Sequence, residues 1–463
     1  MAKGKKVVII GCGIGGSAVG ALLAQDGFQV EIFEKTRFIG GRFASYQKGD
    51  FRLDVGCHIV GNCDKGIFGT ICEMIGEKVE WAYTRKPGPT FVYGNDWLKF
   101  PSGAAKLGFG DAEMAKILEL YSDLSTFTEA DFERLNSVSI AEFLKNYLDD
   151  NRLRAIFAYL TGMYFVVPDY ETPTGDWARC QQEIVRNRAS GYPIGGTGAI
   201  PEAFVRSIEK RGGKVHLSQA VERIKIENGR ATGVILPGGK EIPADIVISN
   251  ADIKTSVLDL VGAEKYAPAF VEKVKDYTWS EATFIVKVAL DQKITNEKLI
   301  MYLNPDNIVD VAMLILQGGV PDKAPILMIP VISNLDPTAC PEGKQLILSG
   351  AACRTKLDSP ASVWKQWEEA YMRTLYGIFP GMEKHVLWVE ATSPKWIDNL
   401  FGEGGNVVGV GQTLKQVGPN RPPIVDPLVK NFYHCSADSG WQGIGGELAS
   451  DAAMRLYRML SKG

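Results

Sequence analysis

One short stretch constrains this chain more than any other: Gly11-Cys12-Gly13-Ile14-Gly15-Gly16, lodged between an apolar strand pattern and a helix pattern. Lys6 to Ile10 reads as a strand, Ser17 to Asp26 as a helix of small and apolar residues, and Gln29 to Phe33 as a second strand ending at Glu34. Strand, tight turn, helix, strand and acid in this order specify the opening βαβ unit of a dinucleotide-binding domain. Each residue has a physical task. Gly11 permits the turn, Gly13 lets a pyrophosphate approach the backbone, and Gly16 lets helix and strand pack closely. The helix opening at Ile14 and Gly15 offers unpaired N–H groups and a positive dipole end to phosphate. Glu34, 18 residues after Gly16, can accept hydrogen bonds from both ribose hydroxyls and would repel a 2′-phosphate. Lys35 is grouped with it. On this motif alone FAD and NAD both remain open.

Length and composition exclude other classes. At about 150 residues per domain, 463 residues predict two or three domains. Apolar residues are 45% and charged residues 23%, as in an average globular chain, so disordered and collagen-like classes are excluded. A net charge of −3 supplies no basic field, so no nucleic-acid partner is expected. The eight cysteines are scattered without a CxxC pair, which predicts free buried thiols in a reducing cytoplasm and no metal centre. Export is not expected, because Gly11 and Gly13 break the apolar run that follows Met1 to Lys6. No stretch approaches the ~18 apolar residues that span a bilayer. A cytoplasmic location follows as an expectation, with peripheral contact to a membrane surface left open.

The rest of the chain alternates in character. Ala112 to Leu124, Ser139 to Leu148 and Leu153 to Met163 show helical periodicity, ended by Pro168 to Pro173. A loop at 191–198 precedes a helix from Ile200 to Lys210, and strands are predicted at Lys214 to Leu217, Val221 to Glu227 and Arg230 to Leu236. Residues 280–350 read as β-rich, 361–379 as helix, Asn431 to Ser436 as strand and Glu447 to Leu460 as a last helix. This predicts two interleaved domains, the first closed by the C-terminal segment.

Ile39-Gly40-Gly41-Arg42 and Leu53-Asp54-Val55-Gly56-Cys57-His58 follow the acidic strand. Tyr192-Pro193-Ile194-Gly195-Gly196-Thr197-Gly198, the strand from Val221, Ala244 to Ala251, Ser436-Ala437-Asp438 and Gly443-Ile444-Gly445-Gly446-Glu447 come later in the same order. Together these segments resemble the flavin-dependent amine oxidase and phytoene desaturase superfamily, nearest to its phytoene desaturase, carotenoid isomerase and retinol saturase group. The resemblance implies an α/β fold: a Rossmann-type FAD-binding domain (GR2-like) interleaved with an α+β substrate domain. The expected boundaries are 1–100, 190–260 and 400–463 for the first, with 101–189 and 261–399 for the second. It implies FAD as cofactor, with Gly41 and Arg42 at the phosphates, Val55 and Gly56 passing the flavin ring, and the Val221 backbone meeting the adenine. Asp438 would bond the ribityl or phosphate region, and the amides at Gly443 and Ile444 would face the pyrimidine oxygen. The family's usual Gly-Asp pair is Ala437-Asp438 here.

What the resemblance implies for activity is an FAD-dependent oxidoreductase acting on carbon–carbon bonds of a hydrophobic polyene or isoprenoid, by desaturation, saturation or isomerisation. Its electron donor or acceptor is not named by the sequence. The alternatives are an oxidase or dehydrogenase of another unsaturated or amine-bearing small molecule, and a non-catalytic flavin-binding scaffold. Residues 155–167 are apolar and aromatic enough to line a hydrocarbon tunnel or to form a buried helix. His58 is the candidate proton carrier, since imidazole can exchange a proton near neutrality. His434 reads as structural and Lys287 and Arg179 as surface charges, and Trp396 and Tyr433 give no clear aromatic-cage signature.

Overall fold

A computed structural model describes residues 4–56, 59–84, 88–304 and 308–461. Two sheets organise it. The first has five parallel strands in the order Phe432–His434, Ile246–Ser249, Lys6–Ile10, Gln29–Phe33 and Lys214–His216. Val7, Val8 and Ile9 in its central strand are fully buried, as expected for a parallel sheet covered on both faces. On one face lie the helices Ile14–Gln25, Ala199–Lys210 and Gly446–Ser461, whose apolar sides share a core with Val7, Ile9 and Ile32. On the other, an antiparallel meander of Arg223–Glu227, Arg230–Leu236 and Lys240–Pro243 packs Ile224, Ala231 and Val234 against Val8, Phe33 and Val247. The sheet therefore assembles from three widely separated pieces of chain.

The second sheet has seven strands, ordered Val386–Thr392, Ala282–Leu290, Gln345–Cys353, Ile326–Pro330, Leu299–Leu303, Thr90–Tyr93 and Asp96–Lys99. Its pairings are antiparallel except Leu299–Leu303 with Thr90–Tyr93. One face packs on the helix Ala361–Ile378, through Phe284, Trp367 and Tyr371. The other meets the helices Asp111–Thr126, Asn151–Gly162 and Thr174–Asn187 in a shared core. Local signals set the helix starts: Asp150 accepts the Leu153 N–H at 3.0 Å, and Thr128 with Asp131 forms a capping box.

The expected domain limits shift in two places. Strands Thr90–Tyr93 and Asp96–Lys99 lie within 1–100 but extend the second sheet, because Phe91 and Leu98 bury into its helical core. Residues beyond 260 stay with the first sheet, where Val271, Val274 and Tyr277 pack beside Val247. The predicted strand run at 280–350 is interrupted by an apolar helix, Ile308–Leu316. Among the described residues no helix is long and apolar enough to cross a membrane, and no cluster of three metal-ligating side chains occurs. The seven described cysteines are buried and unpaired with one another.

Candidate functional site

A cavity of about 960 Å³ runs along the interface between the two sheet systems. That is the upper end of the ~300–1,000 Å³ range of ligand pockets, room for more than one drug-sized molecule. One end opens on the Gly11 turn. Gly11 adopts φ +93°, a conformation that favours glycine. Gly13 is the extended N-cap of the Ile14–Gln25 helix, with no side chain capping the helix, so its first N–H groups stay available. A side chain on Gly13 would meet Asn250 Oδ1 at 2.5 Å, and one on Gly16 would collide with the Gly11 carbonyl oxygen. Gly11, Gly13 and Ile14 line the cavity, while Gly15 and Gly16 pack behind that lining.

Glu34 is buried and lines the same end. Its Oε2 accepts the Cys12 N–H and its Oε1 the Thr36 N–H, each at 2.8 Å. A carboxylate oxygen carries two lone pairs, so each keeps one for a ribose hydroxyl. Lys35, Gly41, Gly56 and Val221 also border the cavity. These groups fit the adenosine and pyrophosphate of a dinucleotide: an acid for the ribose, bare glycine backbone and an uncapped helix end for phosphate.

Arg42 lines the cavity too, but its guanidinium is engaged elsewhere. Nε donates to the Asn406 carbonyl at 2.9 Å and Nη2 lies 2.7 Å from Glu403 Oε2. These contacts tie the 403–406 turn to the Gly41 turn. Glu403 carries no signal in the sequence, yet it borders the cavity beside Asp252 and Asp438. Burial, then the charges of Glu403 and Asp438, push the Asp252 carboxyl up to about 7. Asp438 takes the Val410 N–H on Oδ1 and the Ile253 N–H on Oδ2, both at 2.8 Å, and burial raises its carboxyl as well. Behind it the buried Arg421 donates to the carbonyls of Asp438, Gln416, Val410 and Ala437 at 2.9–3.2 Å, fixing the loop that presents Asp438.

Ile444 borders the cavity, and its N–H acts on the nearby Glu447 carboxyl. Gly443 and Val55 lie outside the lining. The Gly443 carbonyl accepts from Gln412 Nε2 at 3.3 Å, and Val55 packs with Ala44 and Ile397. Asp54 is a structural clasp, accepting from Ser45 Oγ at 2.6 Å, Tyr192 OH at 2.5 Å and the Thr197 N–H at 3.0 Å. His58 and Cys57 lie outside the described residues.

The far end of the cavity is apolar. The Asn151–Gly162 helix and the residues after it contribute Ala158, Leu160, Met163 and Val167, and the second sheet contributes Ile285 and Met328. The predicted 155–167 lining divides between two roles: Ile156, Phe157 and Phe165 point away into the core. Met313 both lines the cavity and is 49% exposed, which puts an opening at the Ile308–Leu316 helix. Two further sequence expectations are corrected, those for Lys287 and Arg179, and two are met, those for the Trp396–Tyr433 pair and His434. Lys287 is fully buried, donating to Tyr46 OH at 2.7 Å beside Glu390 at 3.7 Å. Arg179 is largely covered, pairing with Glu129 over the Phe132 ring. Trp396 and Tyr433 pack into separate clusters away from the cavity and form no cage. His434 is buried against Asp426 at 3.0 Å, away from the lining, a structural position.

The profile of a family described as flavin-containing amine oxidoreductase matches residues 16–446. The zeta-carotene-forming phytoene desaturase of Myxococcus xanthus is 24% identical over 479 residues, covering 94% of this chain and 90% of that one. Among solved structures, an oxidoreductase from Methanosarcina mazei superposes with a TM-score of 0.75 at 22% identity, covering 98% of this chain and 100% of the other. A putrescine oxidase bound to putrescine superposes with a TM-score of 0.71 at 13% identity, covering 99% of each chain. FAD, when bound, supplies a two-electron hydride acceptor or donor. The chain belongs to the flavin-containing amine oxidoreductase family and is an FAD-dependent oxidoreductase.

Proposed function

We propose that this oxidoreductase acts on carbon–carbon bonds of a long hydrophobic polyene or isoprenoid, by desaturation, saturation or isomerisation. The observation that carries the reading is the apolar end of the cavity, walled by Ala158, Leu160, Met163, Ile285 and Met328 and reached past the exposed Met313. A hydrocarbon has few polar handles, so shape and desolvation must hold it, and such a lining supplies both. Gly11, Gly13, Ile14, Glu34, Lys35, Gly41, Gly56 and Val221 would hold the nucleotide part of FAD, with Asp438 near the ribityl chain. Gly15 and Gly16 would support the phosphate turn from behind. Met313 and Leu314 expose apolar surface at the opening, where a substrate dissolved in a lipid surface would enter. The phytoene desaturase relative supports the same substrate class.

One observation favours a second reading, an amine substrate. Asp169, Glu281 and Glu447 place carboxyls on the cavity wall, where one could pair with an ammonium group. Mass spectrometry of an organic-solvent extract of the purified protein separates the two. A co-extracted polyene, and turnover of it by the holoenzyme, is the expected result. Oxidation of a hydrophobic amine with peroxide release, and no turnover of any polyene, would replace the first reading by the second.

A further inference from the structure

Glu447 stands where the two linings of the cavity meet. Its backbone opens the Gly446–Ser461 helix of the nucleotide-side half, and its carboxyl lines the cavity. The backbone N–H groups of Ile444 and Asn62, and the charge of Glu183 on the Thr174–Asn187 helix of the opposite half, all act on that carboxyl. Asn62 joins the two acids: its Nδ2 lies 3.4 Å from Glu183 Oε2, and its Oδ1 accepts from Asn187 at 3.1 Å. A flavin held by its nucleotide end at the other end of this cavity would bring its reacting ring toward this seam. The Gly11 turn and Glu34 would hold the nucleotide end, and a substrate in the apolar half would meet the ring there.

We propose that Glu447 is a redox-linked proton site, binding a proton when the flavin is reduced and releasing it on reoxidation. Two electrons and one proton delivered to the ring add one negative charge to an enclosed space. A second proton, drawn from solvent, converts the Glu447 carboxylate to the neutral acid and removes that excess. Reoxidation returns both electrons to the acceptor and both protons to solvent or product. Burial, reinforced by Glu183, already pushes the Glu447 carboxyl up to about 7, so one further negative charge nearby suffices to protonate it. The other titratable groups facing it are Glu183, Cys63 and Cys180. Burial raises both thiols and keeps them protonated. Burial raises Glu183 too, opposed by Arg179 and Arg186, which makes it the relay toward the surface.

The inference rests on the flavin and not on the substrate assignment, so it is tested without a substrate. The purified holoenzyme is titrated with dithionite and mediator dyes between about pH 7 and 9. For a two-electron couple each proton taken up contributes about 30 mV per pH unit. The wild type is expected to show a slope near 60 mV falling toward 30 mV at higher pH. Glu447→Gln is expected to hold ~30 mV throughout, and Glu447→Asp to restore the steeper segment. The reduced-minus-oxidised infrared spectrum of the wild type is expected to gain a protonated-carboxyl band. An unchanged slope in E447Q overturns the proposal. So does a wild-type spectrum without that band, a result that holds even where E447Q fails to fold. Failure to turn over a polyene would count only against the substrate assignment.

Discussion

Gly15 offers a sharp test of how the cofactor end is built. An added methyl would lie 2.9 Å from the Cys435 carbonyl oxygen, 2.9 Å from Asn250 Nδ2 and 3.2 Å from the Ala449 carbonyl oxygen. Two of these belong to backbone that cannot swing away: the exit of the Phe432–His434 strand and the first turns of the last helix. An ordinary carbon–oxygen contact is about 3.3–3.6 Å, so the Ile14–Gln25 helix must back off by roughly half an ångström. Overpacking of this kind costs ~1–3 kcal/mol, and alanine in place of glycine in a helix returns up to ~1 kcal/mol. Gly15→Ala should therefore lose only ~1 kcal/mol of stability, a small change in Tm. The effect on FAD should be larger, because the same movement withdraws the helix-end N–H groups from the pyrophosphate. Losing the geometry of one hydrogen bond to a charged group costs ~1.5–3 kcal/mol, a ten- to hundredfold rise in Kd. Gly20→Ala is the control, since its methyl meets only the ends of Ile208, Ile9 and Ile32 at 3.0–3.2 Å. Quenching of flavin fluorescence on titration into apoprotein measures both. A G15A protein that binds FAD within twofold of the wild type, or a G20A protein that loses as much, refutes the reasoning.

Other consequences can be measured directly. Arg421→Met strips donors from four buried carbonyls and should cost at least ~3 kcal/mol, read as loss of soluble holoprotein or a collapsed denaturation midpoint. Asp252 titrates near 7 in the fold against the ordinary carboxylate value of 3.8, so the folded state binds the extra proton between those values. Stability must then fall as pH rises through that window, by ~2–4 kcal/mol in all. Asp252→Asn removes the charge and can still accept the Thr255 N–H made at 2.8 Å, so its gain in Tm should be present at pH 8 and absent at pH 4. Ala158→Phe fills the apolar end and should abolish polyene turnover while FAD content stays unchanged. Equal turnover in that variant would move the substrate elsewhere.

Where local chemistry decided the structure, the chain could be read directly. Lys6–Ile10, Gln29–Phe33, Arg230–Leu236 and Ala282–Leu290 lie where their residue patterns put them, each an apolar run bounded by glycine or a turn. The Thr174–Asn187 helix was not expected, because it is polar overall and is held by burying Trp177 and Ala178 against partners distant in sequence. Ile308–Leu316 reads as strand because nearly every residue is apolar, which erases the period that separates helix from strand. The site shows the same division. Gly11, Gly13 and Glu34 announce themselves by spacing, whereas the ion pair of Arg42 with Glu403 joins residues 361 positions apart. Glu447 looks like an ordinary acid in a helix's first turn, and nothing in the linear order shows that Asn62 and Glu183 enclose it. Lys287 looked like a surface charge for the same reason: its burial depends on Tyr46 and Glu390, far off in the chain.

The threading of the parallel sheet also governs how the molecule comes into being. Ile246–Ser249 must wait for its outer neighbour Phe432–His434, about 180 residues later. At a synthesis rate of ~5–20 residues per second that delay is roughly 10–40 s, during which a strand that is buried throughout in the fold has one unpaired edge. The nascent chain thus emerges with Glu34 in place and with Asp438, Arg421 and Glu447 still unmade. Capture of FAD is then a reporter of completed synthesis, and chains halted before residue 432 are candidates for chaperone retention or proteolysis rather than for partial activity.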